Sequence, residues 1–318
     1  MTTLLPRDTP PVPSTEPATR RTAAGRRENL DGILMVAPTL LVVVVVVIIP
    51  VLWNALLSFQ SLSLFQIRSS GLFTNFTTQN FVDLFTDPDF WVSLRTTVIY
   101  SVLSTVGSIV VGLIAALALR RPFPGRGVLR AFMLLPYVAP VVAAAFVWKT
   151  MLDEQSGIVN YWGVHVFGWQ DPVNFLGTEP YALFTVIAFE IWRYFPFAFL
   201  FVTARLLAVP HDIEEAAVVD GATPVQNFRY VLLPQLLPVL GLLAILRLIM
   251  TFNKFDDVYL LTGGGAGTDV AAVRVIDKLN GTFDIGGAAA EALALSAILA
   301  VFLIVYVKMV GNRVGEDA

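Results

Sequence analysis

The sequence predicts an all-α membrane protein that crosses the bilayer six times. Three observations predict it. Hydrophobic residues make up 56% of the 318 residues and charged ones only 14%, with a mean hydropathy of +0.72. That balance is far from a soluble domain of this length. The apolar residues come in long uncharged runs, and lipid admits such runs only as helices whose backbone bonds close internally. The loops between runs alternate in charge. The stretch RRPFPGRGVLR holds Arg120, Arg121, Arg126 and Arg130 with no acid, whereas residues 152–179 hold Asp153, Glu154, Asp171 and Glu179 with no lysine or arginine. The positive-inside rule puts the first loop in the cytoplasm and the second outside. The net charge of −3 gives no sign of nucleic acid, and the absence of cysteine excludes disulfides and thiolate metal sites. His165 and His211 are too far apart to suggest a ligand cluster.

Residues 1–29 are rich in proline and threonine, with Arg20, Arg21, Arg26 and Arg27 clustered late. They read as a disordered cytoplasmic tail, not a secretory signal, because the apolar run that follows is long and has no small-residue cleavage pattern. The first span covers about 33–59, with an unbroken aliphatic centre at 40–49 and possible kinks at Pro38 and Pro50. Residues 60–91 form an external loop with a short amphipathic helix near 78–86. The second span is 96–119 and the third 131–151, with Pro136 and Pro140 near its start. The fourth is 181–205 and the fifth 232–252. Residues 253–287, rich in Gly and Asp, form an external segment before the sixth span, 288–307, which ends at Lys308. Six spans place both termini inside. The domain reading is a tail at 1–29, a six-span domain at 30–312 and a cytoplasmic tail at 313–318.

One polar stretch between the fourth and fifth spans organises the chain: PHDIEEAAVVDGATPVQNFRYVLLPQLLP, beginning at Pro210. Asp212 as N-cap with Glu215 three residues on makes a capping-box pattern. Gly221 suits the left-handed position that ends such a helix. Thr223 is a second N-cap, with Pro224 at the first helical position and Gln226 completing the box. Pro234 marks a bend after Leu233. Ala216 and Ala217 would let another surface come close, and Glu214, Glu215 and Asp220 would face solvent or a partner.

Charges inside the spans are costly, about 2.5–3.5 kcal/mol each at the centre on insertion scales. Glu190 and Arg193, three apart on the fourth span, can pair on one face, and Arg247 on the fifth could join them. They serve either as an interhelix pair or as part of a translocation pathway. Asn253, Asp256 and Tyr259, at the outer end of the fifth span, offer hydrogen-bond partners for the hydroxyls of a solute or for a docked protein. The triplet at Gly263, Gly264 and Gly265 has no following Lys-Ser/Thr, so it reads as an external turn rather than a phosphate cradle.

The hairpin spacing then carries a resemblance. Glu215-Ala216-Ala217, three residues, Gly221, nine residues and Val231-x-Leu233-Pro234 resemble the EAA loop of permease subunits of bacterial ABC importers; Val231 stands where isoleucine is more usual. EIWRYFPFAFLFVTARLLAVP, with Trp192, Pro196, Phe197 and Pro210, resembles the fourth-span signature of carbohydrate-type permeases. FNKFDDVYLLTGGGAGT and RGVLRAFMLLPYVAP resemble two more of its segments. The likeness covers roughly residues 30–312 and is greatest to the first permease of sugar importers such as the maltose and glycerol-3-phosphate systems. It implies the type I importer permease fold in a compact six-span form, without the two extra spans and external domain of some members. It also implies a bacterial inner-membrane location and a second homologous permease as partner. Further implied partners are a dimer of cytoplasmic ABC ATPase subunits and an extracytoplasmic sugar-binding protein. On this resemblance Glu214, Glu215, Ala216, Ala217, Asp220, Gly221, Leu233 and Pro234 form the coupling helix. The chain would bind no cofactor, ATP and Mg belonging to the ATPase, and would not be an enzyme. A di- or oligosaccharide is the expected cargo, with glycerol phosphate or a polyol as alternatives. The reading from another class is a stand-alone secondary transporter, which needs intramembrane acids for ion coupling and inverted repeats. Glu190 is the one clear mid-span acid, and no repeat is visible.

Overall fold

The computed structural model describes residues 35–66 and 75–314. The expected tail at 1–29 lies outside them, as do residues 315–318 of the expected C-terminal tail. The chain divides into two units, Met1–Trp53 and Asn54–Ala318. Five helices are long and apolar enough to cross a membrane, and six if one bent pair counts as a single span.

Helix α1, Met35–Ser58, is the most hydrophobic, with a mean hydropathy of 3.0 over its best window. Its turn at Val44–Ile48 is π-helical and leads into Pro50. A proline has no N–H to give and its ring crowds the carbonyl four residues back, so the widened turn takes up the mismatch.

Beyond Asn54, helix α2, Gln79–Thr86, is the short amphipathic helix that the pattern near 78–86 suggests, with Leu84 as its buried residue. Asn80 Nδ2 donates to the carbonyls of Ser58 and Gln60, both at 2.9 Å. Helix α3, Pro88–Ala118, begins eight residues before the expected second span. Asp87 accepts from the Asp89 N–H and Pro88 takes the first turn, so capping extends the helix beyond the uncharged run.

The expected third span is not one helix. Helix α4, Arg126–Val138, and helix α5, Val141–Met151, meet at 96°. Ala139, with ψ 137°, is held extended by the proline that follows it, and Pro140 opens α5. Pro136 sits inside α4 without ending it. The expected loop 152–179 contains a further helix, α6, Ile158–His165.

Helix α7, Tyr181–Leu207, is the fourth span and packs along α3. The two approach closely where α3 carries small residues, Gly107, Gly112, Ala115 and Ala116. A Cβ at Gly112 would lie 2.6 Å from Ala198 Cβ and 2.7 Å from the Phe199 backbone nitrogen, so only glycine fits. Helix α8, His211–Val219, follows, then α9, Pro224–Phe252. Pro234 does not bend the chain out of helix as expected. The turn before it, Asn227–Leu232, becomes π-helical and the helix continues to Phe252.

The segment 253–287, expected as an external segment, contains two helices, α10, Asp256–Leu261, and α11, Ala271–Asn280. Helix α12, Ile285–Val314, is the sixth span and runs beyond its expected end at Lys308. The apolar core lies in three clusters. One is between α3, α7 and α9 near the α8 hairpin, one is under α5, α7 and α10, and one is between α3, α11 and α12.

Candidate functional site: a capped hairpin and a buried charge network

At one end of the spans, α8 and the first turn of α9 make a hairpin whose two helix ends are closed by backbone and side-chain bonds. Helix α8 starts at His211, with Pro210 as its N-cap and no side-chain cap bond. The expected Asp212 cap with Glu215 is therefore not made. The extended backbone at Pro210 lets the helix start earlier, which leaves Asp212 and Glu214 in the first turn, where the helix dipole favours acids. The C-terminal end is a Schellman closure. Gly221 has φ +83°, its N–H reaches the Val218 carbonyl at 3.0 Å, and the Ala222 N–H reaches the Ala217 carbonyl at 2.9 Å. Thr223 then caps α9 in a full capping box: its N–H donates to Gln226 Oε1 at 2.8 Å and its hydroxyl accepts from the Gln226 N–H at 3.4 Å.

The hairpin faces outward selectively. Glu215, Ala216, Asp220 and Gly221 are exposed, with Val218 at 64% and Val219 at 86%. Ala217 and Leu233 are half-buried, and Pro234 is exposed. Glu214, expected to face solvent or a partner, accepts an ion-paired hydrogen bond from Arg120 just past the end of α3 in the same chain. Arg205, at the end of α7, donates from Nε to the Gln235 carbonyl at 3.0 Å, joining the two spans just behind the hairpin.

Towards the other end of α7 and α9 lies a network of four ionisable side chains. Glu190 and Arg247 are both fully buried, and Arg247 Nη2 donates to Glu190 Oε1 at 2.6 Å. Lys254 Nζ lies 2.9 Å from Glu190 Oε2 and 2.6 Å from Asp257 Oδ2. The Tyr194 ring faces both cations, 4.1 Å from Arg247 Cζ and 3.8 Å from Lys254 Nζ. Burial, and after it the Glu190 carboxylate, push Asp257 up to about 8 against the pull of Lys254. Burial pulls Lys254 down, but Glu190 and Asp257 outweigh it and raise it.

Arg193 does not pair with Glu190, as the i, i+3 spacing suggests it could. Its Nη1 donates to the Ala139 carbonyl at 3.2 Å, an acceptor that the break between α4 and α5 leaves without a helical donor. Arg247 is the residue that meets Glu190. Lys254 and Asp257 are not among the residues that the sequence singles out, although their i, i+3 spacing just after the span that carries Arg247 is visible in it. Asn253 is exposed and donates to the Ile249 carbonyl. With Asp256, Tyr194, Arg247, Met250 and Phe255 it lines an open recess. Tyr259, the remaining residue expected on the pathway, is exposed outside that lining.

A second network ties α11 to α12 and to the start of α3. Arg274 binds Asp87 at 2.6 Å and Glu291 at 3.2 Å, and Lys278 binds Glu291 at 2.7 Å. Partial burial opposes ionisation of Asp87, but its bonds from Arg274 and the Asp89 N–H hold it below the usual carboxylate range. Among the described residues no group of three or more His, Cys, Asp or Glu side chains could hold a metal.

Residues 108–314 match the model of the binding-protein-dependent transport system inner membrane component family. The Escherichia coli K12 inner membrane ABC transporter permease protein YcjO is 36% identical over 298 residues, covering 92% of this chain and 99% of the relative. The trehalose/maltose transport system permease protein MalF of Thermococcus litoralis is 34% identical over 286 residues, covering 89% and 94%. A bacterial ABC transporter involved in import of the acidic polysaccharide alginate superposes with a TM-score of 0.78 at 20% identity, covering 91% of this chain and 98% of that one. It shows the shared fold. With its long apolar helices in that fold and its sequence matched along most of its length, this chain belongs to the binding-protein-dependent transport system inner membrane components, the multi-pass permeases of ABC importers.

Proposed function

We propose that this chain is one of two homologous permease subunits that together enclose the pathway of a sugar importer. In this reading its α8 hairpin is the contact through which a separate ATPase dimer drives it. The observation that carries the reading is the hairpin itself. A short helix with a Schellman end and a capping box behind it is stiff, and it presents Glu215, Ala216, Val218 and Val219 outward. The chain has no nucleotide-binding motif, so a force from outside must reach the spans. Arg205 to Gln235 and Arg120 to Glu214 tie the hairpin to α7, α9 and α3. ATP and Mg, held by the ATPase, supply the closing motion. The residues of this chain receive it as a displacement of α8, and α7 and α9 tilt with it. The hairpin side is cytoplasmic and both termini lie on that side. Glu190, Arg193, Arg247, Asn253, Asp256 and Tyr259 remain the candidates for the pathway wall, with Asn253 and Asp256 at a recess open to cargo.

The cargo is a di- or oligosaccharide delivered by an extracytoplasmic binding protein. Support comes from relatives named for trehalose/maltose and, in Streptomyces coelicolor, diacetylchitobiose uptake, and from an alginate importer solved with its pentasaccharide-bound periplasmic protein. Glycerol phosphate or a polyol is the alternative cargo. The test replaces Glu215 with Lys, and separately Gly221 with Leu, in the assembled transporter. Both variants are expected to keep binding-protein docking and lose sugar uptake driven by ATP. Undiminished uptake by both variants, in cells that lack any partner ATPase, would show a secondary transporter instead.

A further inference from the structure

The segment between α5 and α7 carries a face that the transport mechanism does not use. Helix α6, Ile158–His165, turns its polar side inward. Asn160 is buried there. Its Nδ2 donates to the Asp153 carbonyl at 3.1 Å and the Val173 carbonyl at 2.9 Å, and its Oδ1 accepts from the Val173 N–H at 2.8 Å. Gly163, also buried, lies under the Trp169 ring, which a Cβ at that position would strike. The Trp169 N–H closes the turn on the Gly163 carbonyl at 2.9 Å. These bonds fasten the loop to one side of α6 and leave the opposite side bare.

The bare side is a single face. Ile158, Tyr161, Trp162 and His165 stand at i, i+3, i+4 and i+7, and all four are exposed. The His165 ring stacks on Tyr161 at 4.4 Å, and Phe167, 70% exposed, follows just past the helix end. Ile158, Val159, Trp162, Phe167 and Trp169 surround a shallow depression of about 310 Å³. An apolar outside over a hydrogen-bonded inside reverses the pattern of a helix in water. The depression has no carboxylate, amide or hydroxyl side chain in its wall, so the hydroxyls of a sugar would find little to bind. The face also has a bilayer beside it. Helix α5 ends at Met151 and α7 begins at Tyr181, so the chain leaves the membrane just before α6 and returns soon after it. Phe146 and Val147 on α5, and Phe184 on α7, continue the exposed apolar surface into those spans. Tryptophan and tyrosine are the residues that collect where a membrane meets water. Residues 152–179 hold no lysine or arginine, so an anionic headgroup gains nothing there and a zwitterionic one suffices.

We propose that α6 and the turn after it lie in the outer headgroup layer of the bilayer, with Ile158, Tyr161, Trp162 and Phe167 sunk among zwitterionic phospholipids. Asn160 and Gly163 hold the loop on the side away from the lipid. The permease reading supplies only which leaflet this is. Anchored there, α6 gives the outer ends of α5 and α7 a fixed support while α7 tilts.

The full-length chain, assembled with the subunits that accompany it in phosphatidylcholine nanodiscs, tests this. Both membrane faces are open to solutes there, so the orientation of the chain does not enter the readout. Because the chain has no cysteine, Tyr161→Cys, Phe167→Cys and Asp171→Cys can each carry one environment-sensitive fluorophore. A face sunk about 5–10 Å into the headgroup boundary is shielded from a dissolved ion and lies within reach of a lipid-borne quencher. Labels at 161 and 167 should therefore lose fluorescence to phosphatidylcholine with a nitroxide high on its acyl chain and keep it against iodide. The label at 171 should do the reverse. Replacing part of the phosphatidylcholine with phosphatidylglycerol should change neither result. A second measurement leaves the face apolar. Brominated phosphatidylcholine should quench part of the wild-type tryptophan fluorescence, and Trp162→Phe should lose a share of that quenching. Iodide quenching at 161 and 167, protection of both from either quencher by a covering protein subunit, a requirement for phosphatidylglycerol, or unchanged quenching in Trp162→Phe overturns the proposal. Gly221→Leu, which tests the coupling hairpin, should leave every one of these signals as it was, so the two readings fail separately.

Discussion

At the scale of single residues, Glu190 decides most. It is fully buried and takes Arg247 on one oxygen and Lys254 on the other. Removing one partner of such a pair strands a charge in a medium that does not solvate it, and the cost is about 3–5 kcal/mol. Arg247→Ala leaves Glu190 with Lys254 as its remaining cation, so it should lower stability by less than that amount in a detergent thermal or chemical melt. The double variant Glu190→Gln/Arg247→Met should recover much of the loss, because neither remaining group is ionised. Equal losses in single and double variants would place the cost in packing. Asp257 gives a pH signature at the same place. Its carboxyl is raised to about 8, above the unfolded value near 4, so the folded chain binds the proton more tightly than the unfolded one. That contribution is fully present below about pH 4 and is lost as pH rises through 8. Melts between pH 5 and 9 should show stability from this group falling with pH, and Asp257→Asn should flatten that part of the profile.

At the scale of elements, Gly221 and Pro140 set two joints. Gly221 holds φ +83° with open space where a side chain would go, so a substitution meets backbone strain and nothing else. Gly221→Ala should cost about 1–2 kcal/mol, and Gly221→Asn less, since asparagine tolerates the left-handed region. Hydrogen exchange of the α8 amides would read the difference. The hairpin's ends were legible in the sequence because Gly221, Thr223, Pro224 and Gln226 act over three or four residues. Its start was not. Asp212 looks like a cap, but the extended Pro210 begins the helix first. The third span was legible as an apolar stretch and its break was not, because hydropathy counts residues and ignores that Pro140 forces Ala139 out of helix. Pro234 has the opposite outcome: a π-helical turn ahead of it absorbs the proline. Among the charges, Glu190 and Arg247 were visible as mid-span anomalies. Their pairing with each other, and with Lys254 and Asp257 beyond the span, depends on which way α7 and α9 turn, and spacing along one helix does not encode that.

At the scale of the whole molecule, the alternating loop charges make a claim that each helix end can test. The chain has no cysteine, so any introduced one reports alone. Val219 is 86% exposed at the hairpin tip, and Asp171 is exposed in the loop before α7. The positive-inside rule rests on arginine at 120, 121, 126 and 130, and the hairpin itself is acidic, so its side follows from counting spans. That count includes the bent pair. Helix α5 has 11 residues and a rise of only about 16 Å, half of a hydrocarbon core near 30 Å, so the third crossing needs α4 as well. Val219→Cys should react with a membrane-impermeant maleimide only after the cells are opened, and Asp171→Cys should react in intact spheroplasts. Labelling of Val219→Cys from outside, with Asp171→Cys protected until the cells are opened, would mean that α4 and α5 turn back without crossing. The hairpin would then face away from any cytoplasmic motor, and the coupling mechanism would fall with the six-span count.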